Sequence, residues 1–292
     1  MTTTLHDSGL APLGGARAGS NQPPVARTGV AHLMSDSVVF ARRNIEHIRQ
    51  IPEKLLDVTM QPIMFVLLFS YVFGGAISIS GGTYREYIIG GILMQSLSFG
   101  MTGPATSIAN DLQEGVIDRF RSLPASRPAY LVGHYLAELA GMLLSIVVLL
   151  AAGLLVGWRA HTDVWHIAAA LVMLLAYASA MIWVGTWIGM LVRAPDAVMG
   201  VAFVVVFPIT FLSSAFVPLE TLPSGLQWVA SYNPVSALVS ATRELFGNPV
   251  TPVVKHVWPM DNPVLASFVY CALILAVAVP GTLCRYRTRT AG

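Results

Sequence analysis

The sequence predicts an all-α polytopic membrane protein with six transmembrane helices and cytoplasmic N- and C-termini, and three observations carry that prediction. The 292 residues are 55% hydrophobic and only 11% charged, whereas soluble domains carry roughly a quarter of their residues as charges. Mean hydropathy is +0.66, and the apolar residues fall in six blocks, each about long enough to cross a ~30 Å hydrocarbon core. The basic residues are also unevenly placed: of 17, all but Arg85, Arg159, Arg243 and Lys255 fall on the side that holds the termini, which places that side in the cytoplasm. A net charge of +2 gives no reason to expect a nucleic-acid partner.

Residues 1–34 are rich in Gly, Ala, Pro, Ser and Thr without an apolar block, which predicts a disordered cytoplasmic tail. Lacking an apolar run of ~7–15 residues, it does not read as a cleavable signal peptide. From Ser35 to Gln50, Val38, Val39, Ile45 and Ile48 alternate with Arg42, Arg43 and Arg49. That is the pattern of an amphipathic interfacial helix, suited to a membrane anchor or to a partner contact. With this helix the transmembrane domain covers residues 35–292, and its spans are expected at about 55–77, 88–108, 130–156, 164–191, 197–217 and 264–283. Pro52 suits the first turn of the helix that leads into the first span.

Between spans two and three lies Asn110–Pro128, which carries Asp111, Glu114, Asp118, Arg119, Arg121 and Arg127 and is too charged to cross a bilayer. Leu112, Val116, Phe120 and Leu123 make one apolar stripe at helical spacing. The stretch therefore reads as a short surface helix ended by Pro124, with one face open to a soluble partner, or as a solvated basic loop. Pro218–Asn262 is too broken by Pro and Gly to span. Within it Asn233-Pro234 is a strong helix start, an N-cap followed by a first-turn proline, and Gly247 a strong stop. This predicts a short helix at the outer surface.

Catalytic and metal-binding motifs are missing. With lysine only at positions 54 and 255, no GxxxxGK[ST] loop exists, and there is no HExxH, CxxC or GxSxG. A membrane-embedded enzyme would need a polar cluster at depth, which the sequence does not assemble. Glu138 lies within about two turns of the cytoplasmic end of the third span, where it either lines a path or interface or snorkels to water. Gly185-Thr-Trp-Ile-Gly189 is a GxxxG suited to close helix packing within one chain or between two. Cys271 and Cys284, thirteen positions apart, read as buried apolar thiols.

Three blocks resemble the membrane subunit of bacterial ABC-2 type ATP-binding-cassette exporters, in the branch of daunorubicin/doxorubicin-resistance permeases. They are Gln113–Arg127, with an acidic-Gly start and a Pro-x-Ser-Arg end; Tyr87–Ile92, where Gly90 departs from a frequent family proline; and Pro208–Pro234. The resemblance implies a coupling helix, with Gln113, Glu114, Gly115, Asp118, Arg119 and Arg121, docking on a separate ATPase. It also implies an outer re-entrant hairpin between spans five and six, whose helix begins at Asn233 and Pro234. On this reading the chain has no cofactor of its own, since ATP and Mg belong to the ATPase, present in two copies. A second permease copy completes a homodimer in the bacterial cytoplasmic membrane. The cargo is a hydrophobic drug or lipid-like molecule; a polysaccharide or complex-lipid exporter and a stand-alone facilitator are the alternatives.

Overall fold

The computed structural model describes residues 52–75, 79, 82–115, 127–192, 194–250, 253 and 255–290. The expected tail and the Ser35–Gln50 interfacial helix lie outside them. Among the described residues the secondary structure is helical, apart from an isolated bridge between Ile79 and Gly82. Its ten α-helices are α1 (Pro52–Leu68), α2 (Tyr84–Phe99), α3 (Thr102–Gln113), α4 (Arg127–Val156), α5 (Val164–Leu191), α6 (Asp196–Phe211), α7 (Ser224–Tyr232), α8 (Pro234–Phe246), α9 (Trp258–Asp261) and α10 (Pro263–Thr290). Among the described residues three stretches are long and apolar enough to cross a membrane: Tyr130–Val156 in α4, Val164–Leu191 in α5 and Pro263–Tyr286 in α10.

The other apolar segments are less regular than their composition suggests, each for a local reason. α1 passes into a π-helical turn, Phe69–Phe73. The second apolar block is two helices separated at Gly100-Met101. Pro104 has no N–H to give the carbonyl of Gly100, and its ring crowds that carbonyl, so the helix breaks four residues before the proline. α2 also starts earlier than the apolar pattern indicates, because Thr83 and Glu86 form a capping box in which the carboxylate accepts from the Thr83 N–H at 3.1 Å. α6 has sixteen residues and ends at Phe211, so it is only about 24 Å long and stops short of the expected 217. The irregular chain that follows is buried, with Ser213, Ser214, Ala215 and Phe216 all inside. Non-helical backbone at membrane depth is tolerated only where protein covers it.

α2 is the axis of the molecule. Tyr84, Tyr87 to Gln95, Leu97 and Ser98 are all buried, and α1, α4, α5, α6 and α8 pack around it. A helix enclosed on every side has no polar face to show, which is why its sequence, YREYIIGGILMQSLSF, has no clear amphipathic stripe. α10 and α3 both pack on α5, α10 meeting it at Trp183 and Trp187 and α3 at Gly189, and α8 rests on α10, α5 and α2. The GxxxG of α5 serves packing within the chain. A Cβ on Gly185 would stand 2.2 Å from the Met101 carbonyl oxygen, and one on Gly189 would stand 2.4 Å from that of Ala105. Cys271 is buried, but Cys284, also expected inside, is exposed on the last turns of α10.

Candidate functional site

Two groups of polar residues stand at opposite ends of the bundle. At the end formed by the α7–α8 hairpin, Asn233 caps α8: its Oδ1 accepts from the Val235 N–H at 2.9 Å. Its Nδ2 donates to the carbonyls of Ile209 and Leu212 at 2.6 and 2.9 Å, satisfying oxygens left over at the end of α6. Pro234 occupies the first turn, and Gly247, at φ 66°, ends the helix in the left-handed conformation that a glycine adopts without strain.

The centre of this end is Arg243, buried at 1% exposure. Its Nε donates to the Tyr87 carbonyl at 2.9 Å, and its Nη2 donates to the carbonyls of Ser214 at 2.9 Å and Ala215 at 3.2 Å. The guanidinium carbon lies 3.4 Å from the centre of the Tyr87 ring, a cation–π contact. Gly90 leaves room for the arginine stem, since a Cβ there would stand 3.3 Å from Cγ, and Gly91 admits the Ala215 carbonyl to 1.9 Å of where its Cβ would be. The Tyr87 and Tyr84 hydroxyls donate to the carbonyls of Ser214 and Phe216 at 2.9 and 3.2 Å. Ser236 Oγ accepts from the Ser214 N–H at 3.1 Å. The three guanidinium bonds are charge-assisted, and their gain is set against the cost of taking the charge out of water. Sequence reading counted Arg243 only as one outer basic charge, yet it follows Val239 by four positions on the apolar face of α8, and that misplaced charge was the available signal.

The α4–α5 link closes over the end of α8. Trp158 Nε1 donates to Asn248 Oδ1 at 2.7 Å, Asn248 Nδ2 donates to the Arg159 carbonyl at 2.9 Å, and Thr162 Oγ1 donates to the Leu245 carbonyl at 2.8 Å. The Trp158 ring meets Phe246 edge-on at 5.1 Å.

At the opposite end, α3 and α4 converge. The Tyr130 hydroxyl donates to Asp111 Oδ2, and Ile108, Tyr130, Leu131 and Met190 form a buried cluster against which Leu112 and Tyr286 pack. That cluster joins α3, α4, α5 and α10 at one level. One turn along α4, His134 stacks on Tyr130 with centroids 6.3 Å apart, and its buried Nε2 has no hydrogen-bond partner.

The expected coupling residues sit just beyond this cluster. Gln113 is the last residue of α3 and is exposed, Glu114 caps the helix and is exposed, and Gly115 turns the chain at φ 65°. Asp118, Arg119 and Arg121 lie outside the described residues. Asn110–Gln113 continues α3, so the stretch Asn110–Pro128 is not a separate helix from its first residue. Glu138 is half-buried on α4, and a Cβ on Gly103 would stand 3.2 Å from its Oε2. The carboxylate therefore faces the first turn of α3, where the helix dipole favours a negative charge. Among the described residues no three His, Cys, Asp or Glu side chains gather in a set able to hold a metal ion.

The described residues form a helical membrane body with a buried central helix and a helical hairpin packed against one end. The chain belongs to the ABC-2 type transporter family, whose model matches residues 37–246. It is 29% identical over 261 residues, covering 89% of each chain, to the daunorubicin resistance ABC transporter permease protein DrrB1 of Streptomyces coeruleorubidus. It is 25% identical over 223 residues to the doxorubicin resistance ABC transporter permease protein DrrB of Mycobacterium tuberculosis, covering 76% of this chain and 77% of the relative. A putative transport permease, ycf38, of Pyropia yezoensis is 22% identical over 237 residues, covering 77% and 80%. The chain is thus an ABC-2 permease homologous to drug-resistance permeases, a membrane-embedded transport subunit of a family that implies an ABC ATPase partner.

Proposed function

We propose that this chain is the membrane subunit of an exporter that moves hydrophobic drugs or lipid-like molecules outward across a bacterial cytoplasmic membrane, powered by a separate ATPase. The observation that carries the reading is the similarity to a daunorubicin resistance permease across 89% of both chains. In this reading ATP and Mg are held by two ATPase copies, a second permease copy completes the transport unit, and six spans place both termini inside. The α7–α8 hairpin, begun by Asn233 and Pro234, is then the outer re-entrant element. Gln113, Glu114, Gly115, Asp118, Arg119 and Arg121 form the cytoplasmic coupling segment.

The geometry supplies a mechanical reason for that assignment. A permease without a nucleotide site must receive work through a rigid connection, and bistable packing carries small displacements further. The segment from Gln113 to Arg127 leaves α3 and enters α4 where Tyr130 holds Asp111, and the cluster beneath it reaches Met190 of α5 and Tyr286 of α10. A push on the segment is therefore delivered to four helices. Glu138, against the first turn of α3, stands where a shift of α3 along α4 would be felt.

The test is reconstitution in lipid with a candidate ATPase from the chain's own genome neighbourhood. The pair is expected to co-purify and to hydrolyse ATP faster when a hydrophobic drug is added. The double substitution Glu114→Ala with Arg121→Ala is expected to abolish efflux while membrane insertion stays normal; efflux at the unsubstituted level would remove the coupling role. Failure to associate with any neighbouring ATPase would favour a stand-alone facilitator.

A further inference from the structure

We propose that Arg243 is the release pin of the hairpin end, a positioning residue that holds the chain after α6 against α2 in the closed state and lets go as a unit when that end opens. Its three hydrogen-bond acceptors belong to two different elements, the first turn of α2 and the irregular segment Ser214–Ala215, while Arg243 itself belongs to a third, α8. Among the described residues every partner is a backbone carbonyl or a ring face, and no carboxylate pairs with it. Carbonyls fixed in separate elements cannot follow the guanidinium when those elements part. The contacts are therefore lost together and water takes their place.

The choice of residue argues for release over simple packing. The same face of α8 is filled by Val235 and Val239, both buried, and a further apolar side chain would bind the three elements with no cost of removing a charge from water. A buried guanidinium carries that desolvation cost in the closed state and regains its hydration once the end opens. The arginine thus brings the two states closer in free energy, as a switching element needs. Gly90 and Gly91, which make room for the arginine stem and the Ala215 carbonyl, show that α2 is shaped around this contact. The proposal rests on the exporter reading for the side of the membrane on which the pin lies and for the efflux readout, while the labelling rates stand apart from it.

The experiment reports exposure of the segment that Arg243 holds. Ser214, buried at 1% exposure, is changed to Ser214→Cys in the full chain with Cys271→Ser and Cys284→Ser, and its reaction with a charged maleimide is timed in nanodiscs open on both sides. Arg243→Lys keeps the charge but loses the planar fork, and should raise the labelling rate about tenfold, while Arg243→Met removes the charge at similar volume. The Met variant should label at or below the parent rate, keep its thermal midpoint and lose drug efflux. A Lys variant that labels no faster than the parent, or a Met variant that labels faster, overturns the release pin and leaves Arg243 as static packing. Separately, Asp163→Cys in intact cells should react with the same reagent. If it does not, the proposed orientation is wrong, and the nanodisc ratios still decide the pin.

Discussion

At the hairpin end of the bundle a guanidinium, two phenols and an asparagine hold a row of backbone carbonyls, with the indole of Trp158 closing the α4–α5 link above them. At the opposite end the Tyr130–Asp111 bond sits on an apolar cluster that joins four helices, beside two glycines that let α3 and α5 touch. The first arrangement is directional and all-or-none, because hydrogen bonds to fixed carbonyls fail together. The second includes a broad apolar footing and close glycine–carbonyl packing, and apolar contacts between helices can slide by small amounts without exposing a polar group. The difference teaches where each kind of motion can occur. On the proposed reading, gradual displacement would enter at the end that holds Gln113–Gly115, and a discrete opening would occur at the hairpin end.

Substitutions that touch one end and spare the other test this contrast. The largest effect is expected from Gly91→Val, which drives a side chain into the Ala215 carbonyl. It should destabilise by about 3 kcal/mol or more, read as a large fall in the thermal midpoint of the detergent-solubilised protein, and a near-normal midpoint would show that the hairpin end is not rigid. Next is Gly185→Val, which would push α5 off the Met101 carbonyl. A loss of ~1–3 kcal/mol is expected, with drug efflux impaired more than folding, since this contact belongs to the sliding end.

Asn233→Ala removes the α8 cap and both bonds to the end of α6. A loss of about 2 kcal/mol is expected, and the labelling rate of Ser214→Cys should rise with it. Tyr130→Phe deletes only the hydroxyl that Asp111 holds. It should cost about 1 kcal/mol while lowering the efflux obtained per ATP hydrolysed; an unchanged ratio would remove Tyr130 from the coupling route. The smallest effect is expected from His134→Leu. A buried nitrogen without a partner is lost at no cost in hydrogen bonding, so the midpoint should stay within about 1 kcal/mol of the parent or rise.

Much of the helical layout was legible because the signals are local. Asn233-Pro234 and Gly247 delimit α8 through neighbours two to four residues away, and the apolar blocks mark α4, α5 and α10 by length alone. The break before Pro104 was written in the chain as well, but the apolar composition of the block concealed it. The end of α6 at Phe211 was less accessible, because residues 212–217 are as apolar as a helix needs and leave helical geometry only where other elements satisfy their carbonyls. The charge pattern marked the stretch Asn110–Pro128 as a surface element, and only the family resemblance assigned Gln113, Glu114 and Gly115 to coupling; the structure adds the Asp111–Tyr130 clamp and its apolar footing, which no spacing in the sequence announces.

What the sequence by itself determined is therefore the membrane setting, the helix starts and stops that depend on residues within a turn, and the charged interruption between two apolar blocks. Those follow from transfer free energy and from hydrogen bonding over three or four positions, which a linear reading can follow. Only the tertiary structure decided that the GxxxG packs inside one chain and that Cys284 is exposed. It alone shows that Arg243, an ordinary basic residue by count, is buried against a carbonyl 156 positions away. A buried charge is stable only when several distant dipoles converge on it, and convergence is a property of the fold.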